Sequence, residues 1–184
     1  MRKLAETAKQ VDARFDNLNR WTFLMMQVFE ARSFLSMAGS KPQMHAIASI
    51  EDLLTQQALL RGFLLSYAKC FSSTGKGRIK LDPAKVFKND QKLIPTHHRI
   101  MKLRHEFAAH GSSSGLDQAT ISVQELDDHF EICHLYSIAT PLDEYSDYTD
   151  AINVLDNYII IGVNKVIDSL EQHLGKTIVL RSQA

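Results

Sequence analysis

The sequence predicts an all-α fold: an up-and-down bundle of about four main helices, with a small β-hairpin inserted before the last helix. Apolar residues recur every three or four positions over long segments, as on one face of an amphipathic helix. Glycine and proline residues separate these segments. One short stretch alternates instead and is rich in β-branched residues, as paired strands are. The 184 residues contain no internal repeat or low-complexity linker, so we predict a single helical domain over residues 1–184.

The first two predicted helices cover residues 2–38 and 42–71 and are separated by a Gly-Ser-Lys-Pro break. The stripe along the first helix consists of Leu4, Ala8, Val11, Phe15, Leu18, Thr22, Met25 and Phe29. A second stripe of Leu24, Val28, Ala31 and Leu35 opens in the later half, which we expect to be more deeply buried. The apolar face of the second helix consists of Ile47, Ile50, Leu53, Leu54, Leu60, Phe63, Leu64, Tyr67 and Phe71. We assign this face and the Met25-Met26 pair to the core rather than to a cofactor site.

Shorter elements are predicted after the second helix. Residues 72–78 form a loop, which either connects helices or touches a phosphate backbone with its basic residues. Asp82-Pro83 is typical of the start of a short helical turn, and Asn89 and Asp90 are candidate caps for the segment that follows.

We expect Pro95 to interrupt that segment and Thr96 to restart a helix. The helix should end at His110, with Gly111 as its stop signal. Its predicted inward-facing residues are Ile100, Leu103 and Phe107.

The remaining chain predicts a hairpin and a last long helix. Residues 119–123 and 130–138 favour strands, with a turn at Asp127-Asp128. The last helix is predicted over residues 143–174 and stops at Gly175. Its apolar face consists of Tyr148, Ile152, Leu155, Ile159, Val163, Val166, Ile167 and Leu170. Residues 177–180 are predicted as a strand or an extended tail.

Composition indicates a globular protein of the cytoplasm. Hydrophobic residues make up 45% of the chain, and 21 basic residues balance 21 acidic ones, which argues against a general nucleic-acid-coating protein. Cys70 and Cys133 lack zinc or redox spacing, as is usual in a reducing compartment. No signal peptide is recognisable, and the longest apolar run, residues 158–163, is too short to cross a bilayer.

The balanced charge is unevenly distributed along the chain. Residues 76–104 contain nine bases and two acids, whereas residues 111–156 contain ten acids and no lysine or arginine. A basic segment of this kind collects a polyanion through its local field. The alternative is that the two segments pair with each other, in the fold or across a dimer.

Arg104 and His110, separated by five residues, provide groups suited to phosphate chemistry without a metal. The arginine side chain is permanently charged and binds phosphate with a planar fork of donors. The histidine side chain exchanges a proton near neutral pH. RNA cleavage needs no protein nucleophile, because the ribose 2′-hydroxyl can attack the phosphate, so these two functions suffice.

The segment Arg104-His105-Glu106-Phe107-Ala108-Ala109-His110 resembles the motif of the HEPN superfamily. In that motif, an arginine followed by a polar residue precedes, by a short spacer, a histidine near a helix end, often as Ala-His. The resemblance implies a helical bundle and a homodimer whose two motifs face each other. It also implies a metal-independent endoribonuclease of toxin–antitoxin or phage-defence systems that leaves cyclic phosphate ends. Other members are inactive or are partners of nucleotidyltransferases, and the sequence does not separate these cases.

Helix geometry leaves two alternatives for the site, and the HEPN resemblance implies the one that uses a second copy. Six steps of an ideal α-helix turn by about 600°, which leaves Arg104 and His110 roughly 120° apart. Either the helix ends before His110, or the second copy supplies one of the two groups.

The predicted site therefore has two parts and no metal or cofactor. Catalysis is assigned to His110 as acid/base and Arg104 as phosphate ligand, with His105 and Glu106 as orienting neighbours. RNA binding is assigned to Arg99, Lys102, Lys76, Arg78 and Lys80. Expected partners are RNA, a second copy of the chain, and a cognate antitoxin or a nucleotidyltransferase, with no membrane. The alternative function is a non-catalytic helical module that binds RNA or docks an acidic partner.

A metal site and a nucleophilic side chain are both poorly supported by the sequence. The chain has no His-Glu-x-x-His string, and its one Glu-x-x-His string, residues 131–134, falls in the predicted hairpin. It also lacks a Gly-x-Ser-x-Gly elbow, and neither cysteine lies in an activating motif.

Overall fold

The computed structural model of the protein describes residues 13–40, 50–72, 78–109, 117–138 and 144–180. The helices are α1 (Asp16–Gly39), α2 (Ile50–Phe71), α3 (Pro83–Val86), α4 (Ile94–Leu103) and α5 (Tyr145–Leu174). The 3₁₀ turns Ala13–Phe15 and Gln91–Leu93 precede α1 and α4, and a π-helical turn, Arg104–Ala109, follows α4. Strands β1 (Asp117–Glu125) and β2 (Phe130–Ile138) form a hairpin before α5. This mostly helical architecture with one small hairpin confirms the predicted fold class.

One apolar core joins the helices, because α1 packs against both α2 and α5, and α4 packs against α2 and α5. The second stripe of α1 lies inside it: Leu24, Val28, Ala31 and Leu35 are at most 2% exposed. The second stripe is therefore buried; the comparison with the earlier half of the predicted helix stays a prediction, because residues 2–12 lie outside the described residues. The face predicted for α5 also lies in the core, where Tyr148, Ile152, Leu155, Ile159 and Val163 are buried.

Several apolar residues assigned to the core are instead exposed. Phe29 is 72% exposed, Met26 56% and Leu54 51%, and Thr22 is exposed as well. Both helices have apolar residues around much of their circumference, so periodicity alone places too many of them inside. The assignments of Met26, Phe29 and Leu54 to the core were therefore wrong.

Local stop and start signals explain most helix ends. Asp82 caps α3, since its Oδ1 atom accepts a hydrogen bond of 3.0 Å from the Ala84 backbone N–H. Gly175 ends α5 in the left-handed conformation, at φ +64°, and its N–H donates to the Glu171 carbonyl. The start of a helical turn at Asp82-Pro83 and the stop at Gly175 were both predicted.

Two predictions around α4 were wrong. Pro95 does not interrupt a helix; it lies in the first turn of α4, where a missing N–H costs nothing. The Asp90 side chain makes no capping hydrogen bond, and its carboxylate lies 3.8 Å from the Lys92 ammonium.

The hairpin is antiparallel and its register pairs Ser122 with Cys133 and Val123 with Ile132. Both strands and the turn at residues 126–129 agree with the prediction, although β1 is two residues longer at each end than the predicted 119–123. All side chains from 121 to 133 are exposed. Residues 177–180 form no strand, but the Ile178 N–H donates to the Glu171 carboxylate at 2.7 Å.

The predicted helical residues 2–12 and 42–49 lie outside the described residues. Among the helices that the structure describes, none combines the length and apolar character needed to cross a membrane.

Candidate functional site

Arg104 lies at the junction between α4 and the π-helical turn. The Arg104 backbone N–H donates to the carbonyls of both Ile100 and Met101, so the helix begins to change its hydrogen-bond pattern at this residue. The turn packs against α2 and α4. π-Helical turns inside helices are rare and frequently lie at functional sites.

The Arg104 side chain is half-buried and has an unsatisfied donor. Its Nε atom is fully buried and has no hydrogen-bond partner among the described residues. Leaving such a group unsatisfied costs about 1–3 kcal/mol, more when the group is charged. A donor of this kind requires an explanation, and an anion that binds during function is one. The buried side-chain oxygens of Gln27 and Gln56 also lack partners among the described residues, so the feature alone does not define a binding site.

Glu106 does not neutralise Arg104 within the described part of the chain. Its Oε1 atom lies 3.8 Å from the Lys102 ammonium, one helical turn back. The Lys102 side chain is 65% exposed, so solvent screening makes this pair weak. His105 is exposed on the same turn.

Arg99 has a different environment, because it connects α4 to the beginning of α5. Its Nε atom donates to both carboxylate oxygens of Glu144, at 3.2 and 3.4 Å. Glu144 also accepts a 2.8 Å hydrogen bond from the Tyr148 hydroxyl. Burial, and then this hydrogen bond to Glu144, raise the pKa of Tyr148. The pair joins the basic segment to the acidic one, as the alternative interpretation of the charge distribution expected.

The predicted basic loop is only partly described, since Lys76 lies outside the described residues. Arg78 packs over the Phe23 ring of α1, with its guanidinium carbon 3.6 Å from the ring centroid. Lys80 is exposed. The next residue, Leu81, donates its N–H to the Cys70 carbonyl at 2.9 Å, which fixes this segment against the end of α2.

His110 also lies outside the described residues, so its predicted role stays a prediction. The structure does correct the geometry assumed for the motif. α4 ends at Leu103 and the chain continues as a π-helical turn, so the 120° offset of an unbroken α-helix does not apply. The chain stays helical as far as Ala109, so the choice between a helix that ends before His110 and a second copy that supplies one of the groups stays a prediction.

Sequence reasoning assigned no role to His97, which lies on α4 and is 3% exposed. Its Nδ1 atom is 3.0 Å from the Tyr67 hydroxyl, and its ring lies against Phe71 and Phe87. Burial, with a smaller effect of His98, lowers the pKa of His97 to about 4. His97 is therefore neutral at pH 7 and acts as a packing and hydrogen-bonding residue. The sequence signal for this burial was the spacing: His97 lies three residues before the inward-facing Ile100, so both residues are on the same face of α4.

Among the described residues, no three His, Cys, Asp or Glu side chains lie close enough to hold a metal ion. Glu131 and Cys133 of the Glu-x-x-His string are exposed on β2.

In comparisons with known proteins, no family model, no curated protein and no solved structure matches the chain. The HEPN resemblance accordingly rests on the motif from Arg104 to His110 and on the helical architecture.

Proposed function

We propose that the protein is a metal-independent endoribonuclease of the HEPN type, acting as a toxin–antitoxin or phage-defence component. Arg104 binds the phosphate and stabilises its transition state, and His110 transfers protons. His105 and Glu106 orient these groups. The protein acts as a homodimer, with a cognate antitoxin or a nucleotidyltransferase as a further partner.

The buried, unsatisfied Nε of Arg104 is the observation that carries this proposal. Arg99 is occupied by Glu144, and Glu106 is near Lys102, so these neighbours leave the Arg104 guanidinium without a described counter-ion. A guanidinium fork held in a half-buried position suits bidentate binding of a phosphodiester. A half-buried position also strengthens the interaction, because the local dielectric constant is lower than in water.

The proposed reaction needs only these groups and the RNA. The ribose 2′-oxygen attacks the adjacent phosphorus as its proton passes to a base, and the P–O5′ bond breaks as the 5′-oxygen takes up a proton. The products are a 2′,3′-cyclic phosphate and a 5′-hydroxyl end. Negative charge develops on the non-bridging oxygens, where the Arg104 guanidinium stabilises it. His110 is the group suited to the proton transfers.

Incubation of the purified protein with total RNA in EDTA tests the proposal. We expect fragments with cyclic phosphate ends, and we expect His110→Ala to abolish them. His173→Ala is a matched control, because His173 is an exposed histidine at the end of α5. Intact RNA at high protein concentration would favour the non-catalytic binding module, and cleavage that requires a metal would contradict the proposed chemistry.

A further inference from the structure

A cleft lies between α3, with the turn that follows it, and the middle of α5. Its volume is about 500 Å³, within the range of small-molecule sites. The lining residues are Lys85, Val86, Lys88, Asn89, Asp90, Asn153, Val154, Asn157, Tyr158 and Ile161. None of them belongs to the predicted catalytic or RNA-binding residues.

One wall of the cleft is basic. Lys85 and Lys88 are exposed, and neither forms an ion pair with another residue in the described part of the chain. Asp90 is the one acidic residue of the lining. Its carboxylate lies 3.8 Å from the ammonium group of Lys92, a residue that does not line the cleft. Two lysine ammonium groups without a described counter-ion favour an anionic ligand.

The opposite wall carries neutral hydrogen-bonding groups. Asn153 and Asn157 are one turn apart on α5, so they lie on the same face of the helix. The side-chain Oδ1 atom of Asn153 accepts a 3.1 Å hydrogen bond from the Arg32 guanidinium. The same guanidinium is paired with the Asp156 carboxylate at 2.7 Å. This contact fixes the Asn153 amide and leaves its NH₂ group as a donor.

An aromatic ring completes the second wall. Tyr158 is half-buried, and its ring centroid is 6.4 Å from that of Trp21. Trp21 packs against Gly162, where any side chain would overlap the indole. The position of the Tyr158 ring is therefore set by the packing of α1 against α5.

The two walls favour a ligand with two kinds of group. An inorganic anion would engage the lysines alone, whereas a ligand that carries both a phosphate and hydroxyl groups would engage the lysines and the amides of α5 together. We propose that this cleft binds a sugar phosphate, with the phosphate against Lys85 and Lys88 and the hydroxyl-bearing sugar against Asn153 and Asn157. A free sugar phosphate and a nucleotide share this chemistry. The proposal is independent of RNA cleavage.

Isothermal titration calorimetry of the full chain tests the proposal with four probes: ribose 5-phosphate, adenosine 5′-monophosphate, inorganic phosphate and ribose. We expect ribose 5-phosphate to bind at least about tenfold more tightly than inorganic phosphate or ribose, because it alone of the three engages both walls. Much tighter binding of the nucleotide would identify a nucleotide as the ligand, and equal binding would identify the sugar phosphate unit.

Variants distinguish a built site from general attraction of anions. The double variant Lys85→Gln/Lys88→Gln should weaken binding about tenfold or more, whereas Lys165→Gln, an exposed lysine elsewhere on α5, should not. Asn157→Leu should weaken ribose 5-phosphate and leave any binding of inorganic phosphate unchanged. All four positions are exposed, and thermal melting confirms that the variants fold. Binding of neither organic phosphate at millimolar concentration, or binding that the variants leave intact, would overturn the proposal.

Discussion

The Nε atom of Arg99 lies 3.2 Å from a carboxylate oxygen of Glu144, forty-five residues further along the chain. The pair connects α4, which leads into Arg104, with the start of α5. The side chains of Arg99 and Glu144 are each 39% exposed, so solvent screening limits the strength of the ion pair.

We expect Arg99→Gln to lower the free energy of unfolding by about 1 kcal/mol or less, and Glu144→Gln to act on the same interaction. Urea unfolding of both single variants and the double variant measures their coupling. Lys102→Gln is the control, because the 3.8 Å pair with Glu106 is more exposed and should contribute less. Additive effects of Arg99→Gln and Glu144→Gln would show that the pair contributes no coupling energy.

His97 should make stability depend on pH below neutrality. Its pKa is about 4 in the fold, below the ordinary value near 6.5, so between these values the unfolded chain binds more protons than the folded one. The contribution of neutral His97 to the free energy of unfolding is complete above about pH 6.5. It is lost as the pH falls toward 4, by on the order of 3 kcal/mol in total.

Urea titrations at several pH values measure this loss, and the slope of the unfolding free energy against pH is the quantity to compare. His97→Phe should flatten the slope in this window even where it lowers absolute stability, since it leaves the Tyr67 hydroxyl without its partner. His173→Phe, at an exposed position, should keep the wild-type slope. Equal slopes for wild type and His97→Phe would contradict the assignment.

The basic loop should contribute to RNA binding through its charges. If Lys76, Arg78 and Lys80 contact RNA phosphates, replacing all three with Gln should reduce the slope of log affinity against log salt by about 0.7 per lost contact. Fluorescence anisotropy with a single-stranded RNA measures this slope.

The control for that measurement replaces Lys69, Lys165 and Lys176, which are exposed on other parts of the surface. Because Arg78 packs on Phe23, thermal melting must show that the loop variant still folds. A slope unchanged from wild type would mean that the loop does not contact RNA phosphates and only connects two helices.

A shared active site predicts recovery of activity in mixed dimers. Arg104→Ala and His110→Ala should each lose most of the wild-type activity, but a heterodimer of the two retains one intact arginine and one intact histidine in different subunits. With α4 ending at Leu103, support for this prediction comes from the HEPN resemblance rather than from helix geometry. No recovery after demonstrated subunit exchange would mean that each chain uses its own pair, and a protein that stays monomeric would exclude a shared site.

Local signals in the sequence predicted most of the fold. Asp82 acts through a hydrogen bond from its side chain to a neighbouring backbone N–H, and Gly175 acts through its left-handed backbone conformation. Both effects are local and need no tertiary information. Pro95 was misread because the same residue type ends a helix or opens one, depending on its position in the first turn. The exposure of Phe29 and Leu54 depends on which sides of α1 and α2 face the other helices of the core, which periodicity does not specify.

The candidate site was predictable only in its residue types. The motif identified Arg104, but the π-helical turn has no side-chain pattern of its own that the sequence would reveal. The contact of Arg99 with Glu144 and that of His97 with Tyr67 join residues far apart in the chain, so they arise from tertiary packing. The cleft between α3 and α5 is likewise a product of packing.

The most direct test of the central claim is the rate of RNA cleavage by Arg104 variants in EDTA. We expect Arg104→Ala to slow single-turnover cleavage of a labelled RNA by about 10²–10³-fold, the typical cost of removing one transition-state donor. Arg104→Lys should recover part of the rate, because it keeps the charge and loses the fork. Arg20→Ala, an exposed arginine on α1, should match wild type. Cleavage by Arg104→Ala at the wild-type rate would contradict the account.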